Sequence, residues 1–109
     1  MPPTPKMTIS TQLVLRALLA DPGAELYGAQ IGEAAGLMSG TVHPILARLE
    51  GLGWVESRWE EVDPQEVGRP ARRFYKITAD GAQEAQSALA KVRRPQPSRL
   101  APRPATGQT

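Results

Sequence analysis

Cysteine is absent from this chain of 109 residues, and histidine occurs once, at His43. The first absence excludes disulfide crosslinks and thiolate metal sites. With a single imidazole, only carboxylates remain as metal ligands, and no metal or other cofactor is expected. Aromatic residues are scarce too: Tyr27, Trp54, Trp59, Phe74 and Tyr75. No apolar run approaches the roughly 18 residues needed to span a bilayer. Arg16 interrupts "LVLRALLA", so that segment is not the apolar centre of a secretory signal either. A soluble, cytoplasmic (nucleoid-associated) protein with no membrane partner is the expectation. A catalytic pair would have to use His43 with Ser39 or Thr41, and no orienting acid is placed beside them, so an enzyme is not expected. The length allows one modest core and not two.

The net charge of +2 hides an asymmetry. Residues 93–109, "RRPQPSRLAPRPATGQT", hold four of the thirteen basic residues and no acid, which leaves nine basic against eleven acidic groups in residues 1–92. The folding part is therefore formally −2. Total charge is a weak guide to nucleic acid here, and local placement has to carry that question.

Three Pro in the first six residues predict a disordered N-terminal arm over 1–7. The segment "TISTQLVLRALLADPG" predicts a helix with a cap at Thr8 or Ser10, ending near Ala20 because Pro22 disfavours the helical conformation at Asp21. Its apolar residues, Ile9, Leu13, Val14, Leu15, Leu18 and Leu19, cover most of its circumference, as in a buried helix or one with a partner on a second side. "LYGAQIGEAAGLM" predicts a short helix near 27–35, closed by Gly36 in a left-handed cap. Ser39 is the expected N-cap of the next helix, which runs to about Leu52. Two short helices joined by a tight turn containing Gly form a helix-turn-helix.

"WVESRW" and "RRFYKIT" alternate like strands and flank "EEVDPQEVGRPA", which has no periodicity and reads as a mobile loop. Thr78 caps a last helix whose Ala82, Ala85, Leu89 and Val92 share one face, and Pro95 stops it. Residues 8–94 thus read as one mainly α domain with a small two-stranded β wing, a winged helix-turn-helix. Residues 95–109 read as a disordered, basic, Pro-rich tail.

The third helix carries an unusual outer face. Val42, Ile45, Leu46 and Leu49 make one buried stripe, while the opposite side holds Gly40, His43, Pro44, Ala47 and Gly51. A solvated face would be filled with Glu, Lys and Gln. Small residues let a helix approach a duplex closely, with its first residues against base edges. Ser39, Gly40, Thr41, His43 and Pro44 form that leading edge, and Arg48 on the flank reaches backbone phosphate. Each residue alone has a bland role, as cap or turn former; together they favour a groove-facing helix. On the wing, Arg69, Arg72 and Arg73 follow Gly68 while Glu56, Glu60, Glu61, Asp63 and Glu66 precede it. An arginine wing on flanking DNA accounts for that separation, although the acids could also pair with these Arg in the free protein. The aromatic residues read mainly as packing; Tyr27 also joins the DNA-contact candidates, and Trp59 could line a ligand cavity.

The stretches "LYGAQIGEAAG", "SGTVHPILARLEGLGWVESRWEE" and "GRPARRFYKITADG", in this order and spacing, resemble the PadR family of bacterial transcriptional regulators. The resemblance implies a winged helix that forms a homodimer and binds a palindromic double-stranded operator, usually as a repressor. It supports Ser39, Thr41 and Pro44 as the helix start, and Gly68, Arg69 and Pro70 as the wing tip; His43 stands where the family most often has Tyr. Relatives continue into a longer dimerising helix. Here dimerisation must rely on the first helix and the short last one, through Ile9, Leu13, Leu18, Ala85, Leu89 and Val92, and a weak dimer is expected. Whether a small-molecule effector acts on it is left open. The alternative from another class is a winged helix that docks on a second regulator or a polymerase, which the net −2 of the folding part favours.

Overall fold

The computed structural model describes residues 4–93. Helix α1 (Ile9–Leu19) starts where Thr8, in extended backbone, accepts the Thr11 N–H on its hydroxyl at 3.1 Å. It ends just before Pro22, as the sequence predicts. Strand β1 (Leu26–Tyr27) leads into α2 (Gly28–Ala35), then α3 (Ser39–Gly51), β2 (Val55–Trp59), α4 (Pro64–Val67), β3 (Arg73–Ile77) and α5 (Ala79–Arg93).

The α2–α3 turn is made by Gly36 at φ 73°, with the Leu37 N–H reaching back to the Gly32 carbonyl at 2.8 Å. That left-handed cap reverses the chain so that α3 crosses α2. The cap of α3 is Met38 rather than Ser39: its carbonyl accepts the Thr41 and Val42 N–H groups at 2.9 and 3.1 Å. Ser39 is the first helical residue, and no side chain caps this end.

The sheet has three antiparallel strands in the order β1-β3-β2. The wing is the expected two-stranded hairpin, Val55 opposite Ile77 through Trp59 opposite Arg73, and β1 adds a third strand by pairing Leu26 with Tyr75 and Tyr27 with Phe74. The segment between the wing strands, expected to be an irregular loop, contains α4. Asp63 caps it by accepting the Gln65 N–H at 2.9 Å, and Gly68 closes it at φ 73°.

One core joins Val14, Leu15 and Leu18 of α1, Ile31 of α2, and Val42, Ile45, Leu46 and Leu49 of α3. Trp54, Val55, Tyr75 and Ile77 close it from the sheet, and Ala85, Ala88 and Leu89 from α5. Thr78 ties the sheet to α5: its hydroxyl donates to the Gly53 carbonyl at 2.9 Å and accepts the Gly81 N–H at 2.9 Å. Thr4 to Met7, expected in the disordered arm, are placed: Pro5 is buried, and the Met7 carbonyl accepts from Gln12 at 2.9 Å. Residues 1–3 and the tail over 95–109 lie outside the described residues.

Candidate nucleic-acid interface

The candidate interface centres on α3, whose two sides differ as the apolar spacing requires. Val42, Ile45, Leu46 and Leu49 are buried, while Ser39, Gly40, Thr41, His43, Pro44, Ala47 and Arg48 are exposed. The three-and-four spacing of the large residues anchors one side and leaves the small ones outward. Pro44 sits in the second turn, where its missing N–H removes only the bond to Gly40. Because no side chain caps α3, its first N–H groups remain open to an anion, and the helix dipole adds partial positive charge there.

His43 has a partner that sequence spacing does not reveal. A Cβ placed on Gly28, the first residue of α2, would lie 2.7 Å from the imidazole Cε1 and 3.2 Å from Nε2. The Cε1 end of the ring therefore lies close against a backbone that only glycine leaves bare, while His43 as a whole remains exposed.

The wing arginines all have protein partners. Arg69 forms a two-pronged pair with Glu60, at 2.7 and 3.1 Å, and the Arg72 backbone N–H donates to the same carboxylate at 3.1 Å. These donors, the Arg69 guanidinium first, hold the Glu60 carboxyl well below its ordinary range, at about 2. The Arg72 guanidinium lies over the Tyr27 ring at 4.2 Å, and that ring meets Phe74 edge-on at 6.0 Å. Tyr27 is thus half-buried, a bridge from β1 to the wing. Arg73 lies over Trp59 at 4.9 Å and stands 3.8 Å from Glu50 of α3. Arg58 pairs with Glu25 at 2.7 and 2.8 Å on the outer side of the sheet. That pairing lowers the Glu25 carboxyl and raises the Arg58 guanidinium.

A family model, the transcriptional regulator PadR-like family, matches residues 19–87, which include both helices of the helix-turn-helix and the whole wing. The chain belongs to the PadR-like family. The family is one of transcription regulators and not of enzymes, and this member has the winged-helix fold. No curated protein sequence matches the chain significantly. Among solved structures, a PadR family regulator from a hypervirulent Clostridium difficile has a TM-score of 0.61 at 21% identity, over 79% of this chain and 88% of that one. Bordetella bronchiseptica BpsR, described with the regulation of its DNA binding by 6-hydroxynicotinic acid, gives 0.63 at 18% identity over 83% of this chain. The Staphylococcus aureus MepR–DNA complex gives 0.59 at 19% over 76%. The chain spans 62% of the length of BpsR and of MepR.

Within this PadR-like chain, the residues expected to dimerise divide in two. Leu18 is 2% exposed, and Ala85 and Leu89 are buried as well, so these three belong to the chain's own core and not to an interface. The expectation fails there because a wide apolar circumference on α1 is consumed from several sides at once, by α2, α3 and α5. Ile9 at 69% and Val92 at 40% remain outside, with Leu13 half-buried between α1's inner and outer faces. Trp59 is also on the surface. Glu50 and Gly28 were not singled out by sequence reasoning, and Glu60 was named only among the acids that could pair with the wing arginines, since these roles depend on contacts across 7 to 23 positions. Among the described residues no helix is long and apolar enough to cross a membrane, and no cluster of His, Asp and Glu could hold a metal.

Proposed function

We propose that the protein is a dimeric repressor that binds a palindromic operator, with α3 in the major groove and the wing on flanking DNA. The observation that carries this reading is the outer face of α3: small residues, two hydroxyls and one imidazole, at the uncapped end of a helix anchored on its other side. Ser39 and Thr41 hydrogen-bond phosphate or base edges, His43 donates to a phosphate or a guanine acceptor, and Arg48 contacts phosphate. Arg69, Arg72 and Arg73 follow the backbone along the wing. MepR, solved in complex with DNA, and BpsR, whose DNA binding is regulated by 6-hydroxynicotinic acid, support the same use of the fold.

The test is selection of duplexes from a random-sequence pool at about physiological salt, followed by sequencing. An enriched inverted repeat, with half-sites about one helical turn apart, is the expected result. With that duplex, Arg69→Ala combined with Arg72→Ala lowers affinity for every sequence and reduces the salt slope by about one unit per lost phosphate contact. A second reading, a winged helix that docks on another regulator, is favoured by the pairing of Arg69 with Glu60 and by the net −2 of residues 1–92. Failure to enrich any sequence, with a dimer in solution, would select it.

A further inference from the structure

The tryptophan just before β2 and the one at its end are placed in opposite ways. Trp54 is 3% exposed and belongs to the core, whereas Trp59, five residues on, is 59% exposed. A large ring so open to water is unusual, because indole is highly buried on average. The hairpin register says which way it faces. Val55 pairs with Ile77, Ser57 with Tyr75 and Trp59 with Arg73, so these side chains share one face of the sheet. Val55, Tyr75 and Ile77 pack into the core on that face. The Ser57 hydroxyl donates to the Glu50 carboxylate of α3 at 2.6 Å, and Arg73 stands 3.8 Å from the same oxygen. The face is therefore the one turned toward α3, and Trp59 with Arg73 is its last rung, beyond the core.

We propose that Trp59, with the Arg73 guanidinium stacked on it, is a DNA-contacting pair that meets the sugar–phosphate edge next to the groove receiving α3. The proposal rests on the DNA-binding reading above. A duplex edge offers what the pair presents: apolar deoxyribose for the indole and a phosphate for the cation. Glu50 is a weak competitor for Arg73, since the contact is long and its oxygen already accepts from Ser57. The cation is thereby held over the ring without being neutralised at close range. The two members of the pair differ in their salt response. Phosphate contact by Arg73 releases counterions and adds to the salt slope, whereas indole contact contributes affinity without changing it.

Acrylamide quenching of tryptophan fluorescence tests the pair, using the whole chain and the duplex selected above. Acrylamide is neutral, so the field of the DNA does not repel it, and the buried Trp54 supplies a constant background. In the free protein Trp59 is quenched readily and independently of protein concentration; quenching that fades as concentration rises would mean that a second copy covers the ring, and would overturn the proposal. Bound duplex protects Trp59. Trp59→Ala lowers affinity roughly tenfold at an unchanged salt slope, Trp59→Phe restores most of it, and Arg73→Ala lowers the slope by about one unit. A duplex bound, by anisotropy, while Trp59 stays fully quenchable would overturn the pair and leave the DNA-binding reading standing. Trp59→Ala binding as tightly as the parent would do the same. No binding of any duplex by the unaltered chain would overturn both.

Discussion

A methyl group at position 28 would sit 2.7 Å from the His43 ring, and the ring is the far end of a side chain that can swing away. Gly28→Ala therefore tests His43 without touching it. The fold loses little, because the ring relocates into solvent and alanine is the better helix former, so stability stays within about 1 kcal/mol of the parent. Duplex binding weakens by about 1 kcal/mol, the net worth of one misdirected hydrogen bond. The His43→Ala background supplies the control: adding Gly28→Ala there changes affinity no further, and the cycle of four proteins gives a coupling comparable to the single effects. Additive losses would mean that Gly28 and His43 act separately on DNA. The chemistry of position 43 could be read from residue types and helical spacing, since one imidazole on a face of small residues is conspicuous. Its partner could not be, because a glycine at a helix start has many ordinary uses, and only the crossing of α2 and α3 selects this one.

At the scale of elements, the legible parts are those with a period. The stripes Val14–Leu15–Leu18 and Val42–Ile45–Leu46–Leu49 fix α1 and α3, and the alternation of Val55 or Tyr75 and Ile77 fixes the wing hairpin. β1 has only Leu26 and Tyr27, too short for any alternation, and exists because β3 offers a free edge. The four residues of α4 carry no apolar period; the Asp63 cap, Pro64 in the first turn and Gly68 after the last build it, and those three residues were the available signal. The wing then owes its shape to Glu60, which gathers the Arg69 side chain and the Arg72 backbone. The sign of its pH dependence follows from linkage. The folded carboxyl titrates at about 2, below its ordinary 4.5, so the pair contributes stability above pH 4.5 and loses it as pH falls from 4.5 toward 2. Exposure to solvent keeps the contribution small. Urea midpoints measured across that window fall for the parent, and Glu60→Gln makes the fall shallower. An equal fall in both proteins would show that the pair is not populated in solution.

For the molecule as a whole, the question is what covers the outer stripe of α1. Ile9, Leu13, Arg16 and Ala20 recur at helical spacing on the side away from the core, and Val92 lies near the end of α5. Arg16, Leu19 and Ala20 also form one wall of an open groove whose other wall is Gln86, Leu89 and Ala90 of α5, so the stripe is bordered by recessed surface of about 460 Å³ rather than by a flat helix. A second copy related by a two-fold axis would cover it, since an isologous contact needs one self-complementary patch, and a palindromic operator needs that axis. The apolar area is small, which is why a weak dimer is expected. The burial of Leu18 decides how to test this. Leu18→Glu places a charge in the core and unfolds the chain, so loss of the dimer in that variant says nothing about the interface. Ile9→Glu with Val92→Glu changes only exposed positions: the helical circular dichroism and melting temperature are retained, and sedimentation equilibrium shows a shift from dimer to monomer. DNA affinity then falls steeply, because one half-site holds each copy and the linked second contact is gone. A dimer that survives both charges would place the interface away from α1 and the end of α5, with the groove lined by Arg16 and Gln86 as the next surface to alter.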